Sequence, residues 1–255
     1  MSLAARLWPP LALAAVLLLA WETGCRLFDI PAYFLPPPSA VAAALVEAAP
    51  RLVPSAGRTF VMALQALAAA TIVGGGLAVL VSLSPTAERA ARPLATALQV
   101  TPVVAIAPLV LIWYGLDNTG AAVVTLAALV AFFPIFSGVL TGLRSADPDL
   151  ERLVDLYGAD RRQRLVRLRA PSAAVYALEG FRVAAGLSII GAVVAEFVSG
   201  SGAAQGLAWR LLEAGNRLRT AELLAALAWL AVMGAALNAG AGLLVAVARR
   251  HLVGR

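Results

Sequence analysis

Apolar residues in this chain do not alternate with polar ones at the short period of a barrel strand. They run on in long stretches near 8–27, 59–83, 93–114, 120–143, 172–198 and 221–248. A transmembrane helix needs roughly 20 mostly apolar residues, so the pattern predicts about six spanning helices. Barrel strands would show alternation over about ten residues at a time, and helices satisfy their own backbone inside a bilayer. The expected fold is all-α, a single polytopic membrane unit over residues 1–255.

The interruptions are as informative as the runs. Between Phe28 and Ser39 stand Pro31, Pro36, Pro37 and Pro38, which remove donors and fix φ, so the segment cannot be helical throughout. Ser39 is placed to cap a short amphipathic surface helix reaching Ala49, ended by Pro50 and Pro54. Gly74-Gly75-Gly76 in the second run allows a neighbouring helix to approach closely. Pro102 and Pro108 in the third run and Pro134 in the fourth predict kinks or local unwinding, either to line a cavity or as packing kinks. Trp113 and Tyr114 suit an interfacial belt, and Gly115 with Asp117-Asn118 suits a tight turn.

A charged island, residues 144–171, separates the fourth and fifth runs. Asp147 is a plausible N-cap with Pro148 at the first helical position, and Asp149 and Glu151 lie where the helix dipole favours negative charge. Leu150, Leu153, Val154 and Tyr157 make one apolar stripe, and Gly158 is positioned as a C′ glycine. Asp160 with Gln163 makes a capping box for a second short helix, carrying Arg161, Arg162, Arg164, Arg167 and Arg169, before Pro171 opens the fifth span. An isolated two-turn helix is unstable in water. Either anionic lipid or a partner protein must cover the stripe.

Composition agrees with the run lengths: 61% hydrophobic residues and 13% charged exclude an ordinary soluble domain, where about a quarter are charged. The net charge of +6 comes from arginine alone, because the chain contains no lysine. Arg6, Arg89, Arg92, the island, Arg249, Arg250 and Arg255 fall on one side of a six-span topology, which the positive-inside rule makes cytoplasmic, with both termini there. Arg26, Arg51, Arg58, Arg210, Arg217 and Arg219 fall on the other side, so the bias is incomplete. Arg6 followed by an apolar run and Thr23-Gly24-Cys25 has the look of a lipoprotein signal. Against that, Glu22 occupies an apolar position of such a signal, and the run exceeds the typical core of about 7–15 residues. One cysteine excludes an internal disulfide.

Ionisable residues inside spans are functional candidates. Glu22, Glu179, Arg182 and Glu196 qualify, with Glu179 and Arg182 spaced to pair on one helix face. Glu196 is the leading pathway candidate, followed by Gln65, Gln99 and Thr101. An intramembrane protease fits badly: His251 is the sole histidine and lies beyond the last span, and Asp29 and Asp117 fall in outer loops. An ion-coupled secondary transporter or channel is the alternative from another class, though it has no use for a two-helix dock, and the halves show no obvious repeat.

Several segments in order carry a resemblance: Leu35-Pro36-Pro37-Pro38-Ser39, the stretch Pro108 to Gly115, Gly158 and Pro171 with twelve residues between them, Gly180-Phe181-Arg182-Val183-Ala184-Ala185-Gly186, and Val194-Ala195-Glu196-Phe197. The chain resembles inner-membrane permeases of ABC importers, in the branch for nitrate, sulfonates and taurine, with residues 144–171 matching their EAA loop. Where the family has Glu-Ala-Ala, this chain has Arg152-Leu153-Val154. The resemblance implies a cytosolic coupling loop in which Leu153, Val154, Asp155, Tyr157, Gly158, Ala159, Arg161 and Pro171 meet a partner ATPase. It also implies an external solute-binding protein, a permease homodimer in a bacterial inner membrane, and a solute such as nitrate, a sulfonate, taurine or a vitamin precursor. No cofactor is expected on this chain. ATP and magnesium belong to the partner, which agrees with the absence of a lysine for a phosphate-binding loop.

Overall fold

The computed structural model describes residues 3–200 and 205–253. The side chains of residues 3–7, 116 and 251–253, and with them Arg6 and His251, lie outside the described set, as does Arg255. The order is α1 (Leu3–Leu27), α2 (Pro38–Glu47), α3 (Ala49–Ser82), α4 (Pro85–Val100), α5 (Val103–Tyr114), α6 (Thr119–Leu143), α7 (Pro148–Leu156), α8 (Arg161–Arg164), α9 (Ala170–Ser199), α10 (Leu207–Asn216) and α11 (Thr220–Val253). A 3-10 turn covers Leu116–Asn118 and a π turn covers Leu165–Arg169.

Among the described residues, five continuous helices are long and apolar enough to cross a membrane: α1, α3, α6, the run Arg161–Ser199, and α11. The expected third span is not one helix. It breaks into α4 and α5, which meet at 96°, so the count reaches six only when this bent pair is taken as one span. The cause is local. Thr101 precedes Pro102 and is extended, with ψ 123, as the pyrrolidine ring demands, and Pro102 offers no N–H to continue the ladder. Pro108 and Pro134, in contrast, stay inside α5 and α6 without ending them.

The core is built on α6 and α9, with α3 laid across both. These helices touch at their backbones because glycines face the contact. A Cβ on Gly142 would stand 2.7 Å from the Ala173 Cα, one on Gly191 2.8 Å from the Ala127 Cα, and one on Gly138 2.8 Å from the Tyr176 carbonyl oxygen. Gly180 lies against the Pro134 carbonyl in the same seam. Without a hydrophobic driving force between helices in lipid, close packing of this kind is what holds them together. The Gly74-Gly75-Gly76 run contributes less than its composition suggests. A Cβ on Gly74 would stand 3.2 Å from the Phe132 carbonyl oxygen, while Gly75 and Gly76 face open space.

Polar side chains organise the two ends of the bundle. At one end, Glu88 at the start of α4 pairs with Arg144 at the end of α6, and Glu179 of α9 pairs with Arg249 of α11. The expected Glu179–Arg182 pair is thus replaced by one between helices, which binds α9 to α11. At the other end, Ser39 does not cap α2. The helix begins at Pro38, and Ser39 instead donates its N–H (3.0 Å) and its hydroxyl (2.8 Å) to Glu22 of α1. Arg26 adds a 2.7 Å bond to the same carboxylate. Arg51 at the start of α3 reaches Glu222 of α11 at 3.3 Å.

Candidate functional site

The island folds as its caps dictate. Asp147 accepts the Asp149 N–H at 2.8 Å, and Pro148 opens α7. Gly158 closes the helix at φ +71, a conformation open to glycine at little cost, and the Ala159 N–H returns to the Val154 carbonyl at 3.2 Å. Asp160 and Gln163 form the full reciprocal capping box, with bonds of 2.6 and 3.1 Å. The second arm differs from expectation. It is no separate helix, because α8 passes through the π turn into α9 without a break. Pro171 sits within this run; it cannot donate to the turn before it, and the widened turn accommodates its ring.

Acidic and basic residues clamp the two arms together. Glu151 accepts from Arg169 at 2.7 Å and lies 3.7 Å from Arg164, which also pairs with Asp155. Asp155, expected at the partner contact, is therefore engaged inside the loop. The apolar stripe is only partly covered: Leu150 and Leu153 are half exposed and Tyr157 (83%) stands almost fully in solvent, joined there by Leu156 (85%), which lies beside the stripe. Val154 and Ala159 are partly buried, while Gly158, Arg161 and Pro171 are exposed. A cavity of about 920 Å³ separates the loop from the α3–α4 turn, lined among others by Ser82, Pro85, Arg144, Arg161 and Arg169.

Glu196 is not on any open surface. It is 1% exposed, at the far end of α9. One carboxylate oxygen accepts from the Thr59 hydroxyl at 2.6 Å and the other from the Ala208 N–H at 2.9 Å, while Thr59 accepts the Leu207 N–H at 2.8 Å. Together they satisfy the free N–H groups at the start of α10, where the helix dipole favours negative charge. Gly206 makes this possible, since any Cβ there would collide with the carboxylate. Glu22 serves α2 in the same way, so the two deepest acidic candidates are both helix caps.

The remaining polar candidates lie on the outside of the single chain. Gln65 on α3, Gln99 near the end of α4, and Thr101 at the break are all exposed; Thr101 bonds back to the Ala97 carbonyl at 2.7 Å. Sequence reasoning missed the neighbours of Gln65. Tyr114 and Thr125 share a 2.8 Å hydroxyl bond and, with Gln65, Met62, Gly120 and Val124, line a notch of about 430 Å³. The available signal was Thr125, a polar residue inside the apolar run of α6.

Comparison with known proteins adds the family. Residues 66–254 match the family described as binding-protein-dependent transport system inner membrane component. The chain is 34% identical over 250 residues to a riboflavin transport system permease protein, RibX, of Chloroflexus aurantiacus, covering 93% of this chain and 88% of that protein. It is 33% identical over 198 residues to the formylaminopyrimidine transport permease protein ThiX of Halalkalibacterium halodurans, covering 76% of each. It is 31% identical over 233 residues to the taurine transport system permease protein TauC of Escherichia coli, covering 89% of this chain and 83% of that protein. With its all-helical membrane bundle, the chain belongs to the family of inner membrane permease components of binding-protein-dependent ABC importers, a transport subunit and not an ATPase.

Proposed function

We propose that two copies of this chain enclose the translocation pathway between them, that the arms around Gly158 dock on a cytosolic ATPase carrying ATP and magnesium, and that an external binding protein delivers the solute. The observation carrying this reading is the distribution of exposure. The interior is filled by small side chains such as Ala63, Ala66, Ala127, Ala131, Ala184 and Ala192, whereas Gln65, Gln99 and Thr101 lie outside. Polar groups facing lipid cost several kcal/mol each, on the order of 2–7 without a partner. Thr101 meets its own need through the Ala97 carbonyl, and a second copy facing Gln65 and Gln99 resolves the remaining cost and creates a polar path.

The uncovered Leu153, Leu156 and Tyr157 form the docking face, with Val154, Gly158, Ala159, Arg161 and Pro171 shaping it and Asp155 holding the arms together. The arginine-rich end then faces the cytosol with both chain ends, and α2 and α10 face the binding protein. The relatives named for riboflavin, formylaminopyrimidine and taurine suggest a small organic solute. The test is to purify the chain with its ATPase and binding protein in liposomes and to measure uptake and ATP turnover. ATP-dependent uptake that is lost on Gly158→Pro supports the reading, and uptake by this chain without an ATPase sinks it.

A further inference from the structure

We infer that the notch between Gln65, Tyr114 and Thr125 is a solute-contact site and that it selects an uncharged, hydrogen-bonding solute over an anionic one; this rests on the permease reading above. Gln65 lies about 26 Å along α3 from Ser82, and Thr125 about 27 Å along α6 from Leu143, at ~1.5 Å rise per residue. Both helices end together at the loop cavity. The notch therefore sits near the opposite edge of a hydrocarbon zone ~30 Å thick, where an incoming solute first leaves water.

Two observations mark it as a binding surface. The Gln65 amide is exposed and has no hydrogen-bond partner among the described residues, a costly arrangement against lipid. Beside it, the Thr125 hydroxyl donates to the Ala121 carbonyl at 2.9 Å and accepts from Tyr114 at 2.8 Å, and this second bond can be exchanged for bonds to a solute with little loss. Met62 and Val124 supply an apolar floor, and about 430 Å³ lies within the usual size of a small-molecule site, about 300–1,000 Å³.

The charge preference follows from what lines the notch. None of its lining residues is charged. Of the nearest basic residues toward the same rim, Arg210 pairs with Glu213 at 2.9 Å, and Arg58, about two turns along α3 from Gln65, is turned to the Gln205 amide at 2.6 Å and lines no part of the notch. A sulfonate entering here would lose water without gaining a counter-charge. An amide or ring-nitrogen edge would find a donor and an acceptor on Gln65 and two hydroxyls that serve as either.

The experiment uses the permease–ATPase complex in nanodiscs without binding protein, riboflavin as the neutral probe and ethanesulfonate as the anionic competitor. Flavin fluorescence reports contact, since Tyr114 and the exposed Trp113 are adjacent quenchers. Saturable quenching is expected, unaffected by ethanesulfonate, and weakened about five- to tenfold by Gln65→Leu and by Thr125→Val, as loss of one or two net hydrogen bonds requires. Thermal unfolding of both variants checks that the fold is intact. Absence of saturable quenching, displacement by ethanesulfonate, or wild-type affinity in both variants overturns the inference. ATP turnover in the same preparation keeps those results apart from failure of the permease reading, which shows as turnover indifferent to Gly158→Pro.

Discussion

Glu88 and Arg144 form an ion pair that ties the first turn of α4 to the residue following α6. Arg92 binds the same carboxylate at 2.8 Å, and Glu88 is 2% exposed while both guanidiniums are about half exposed. The asymmetry decides what substitution does. Losing the acid leaves two cations that water can reach, whereas losing Arg144 leaves a buried carboxylate with half its compensation. Arg144→Ala is expected to cost about 2–3 kcal/mol and Glu88→Gln about 1 kcal/mol, read from denaturation of the purified chain in detergent. The reverse order would contradict the burial argument.

The capping of α10 gives a second ordering. Gly206→Ala forces a methyl group into the Glu196 carboxylate and is expected to destabilise by about 1–3 kcal/mol. Glu196→Gln keeps an acceptor and is expected to cost less than Glu196→Ala, which removes the bonds from Thr59 and Ala208 together. Thermal unfolding midpoints of the three variants check the order.

Glycines of similar appearance differ in consequence. Gly142→Ala presses on the Ala173 backbone and is expected to cost about 1–3 kcal/mol, while Gly75→Ala meets nothing within 4 Å and is expected to be neutral or slightly stabilising. Measuring both in one detergent isolates the packing effect from the change in helix propensity.

The exposed stripe of α7 yields a prediction on association. Replacing Leu156 and Tyr157 by serine removes apolar area that the chain itself barely buries, so its unfolding free energy should change by less than about 0.5 kcal/mol. Recovery of the ATPase in a pull-down should fall about tenfold or more, the scale of one interface anchor. Full recovery would place the docking surface elsewhere.

Apolar run lengths made the helices legible, and the caps of the island could be read residue by residue: Asp147, Gly158, Asp160 and Gln163 all act as their types and spacing imply. Thr101-Pro102 was legible as a distortion, although the size of its bend depends on tertiary packing. The partners that Glu22, Glu88, Glu179 and Glu196 find on other helices were not legible, because no local pattern encodes which helix ends meet. Glu196 illustrates the difficulty. A carboxylate in an apolar run marks either a route for solute or a buried cap, and only the position of Gly206 separates the two.

The continuity of α8, the π turn and α9 gives the molecule a mechanical character. Residues Arg161–Ser199 form one helical run of 39 residues, about 58 Å long at ~1.5 Å per residue. Its near end carries the basic arm of the island, and its far end carries Glu196, on which α10 is seated. A lateral push of a few ångströms at the arm, pivoting on the glycine seam with α6, would swing the other end the opposite way and carry α10 with it. Under the proposed docking, the rod would act as a rocker. The π turn is where this run departs from α geometry, so stiffening or loosening that turn would set how much of each stroke arrives at the opposite face.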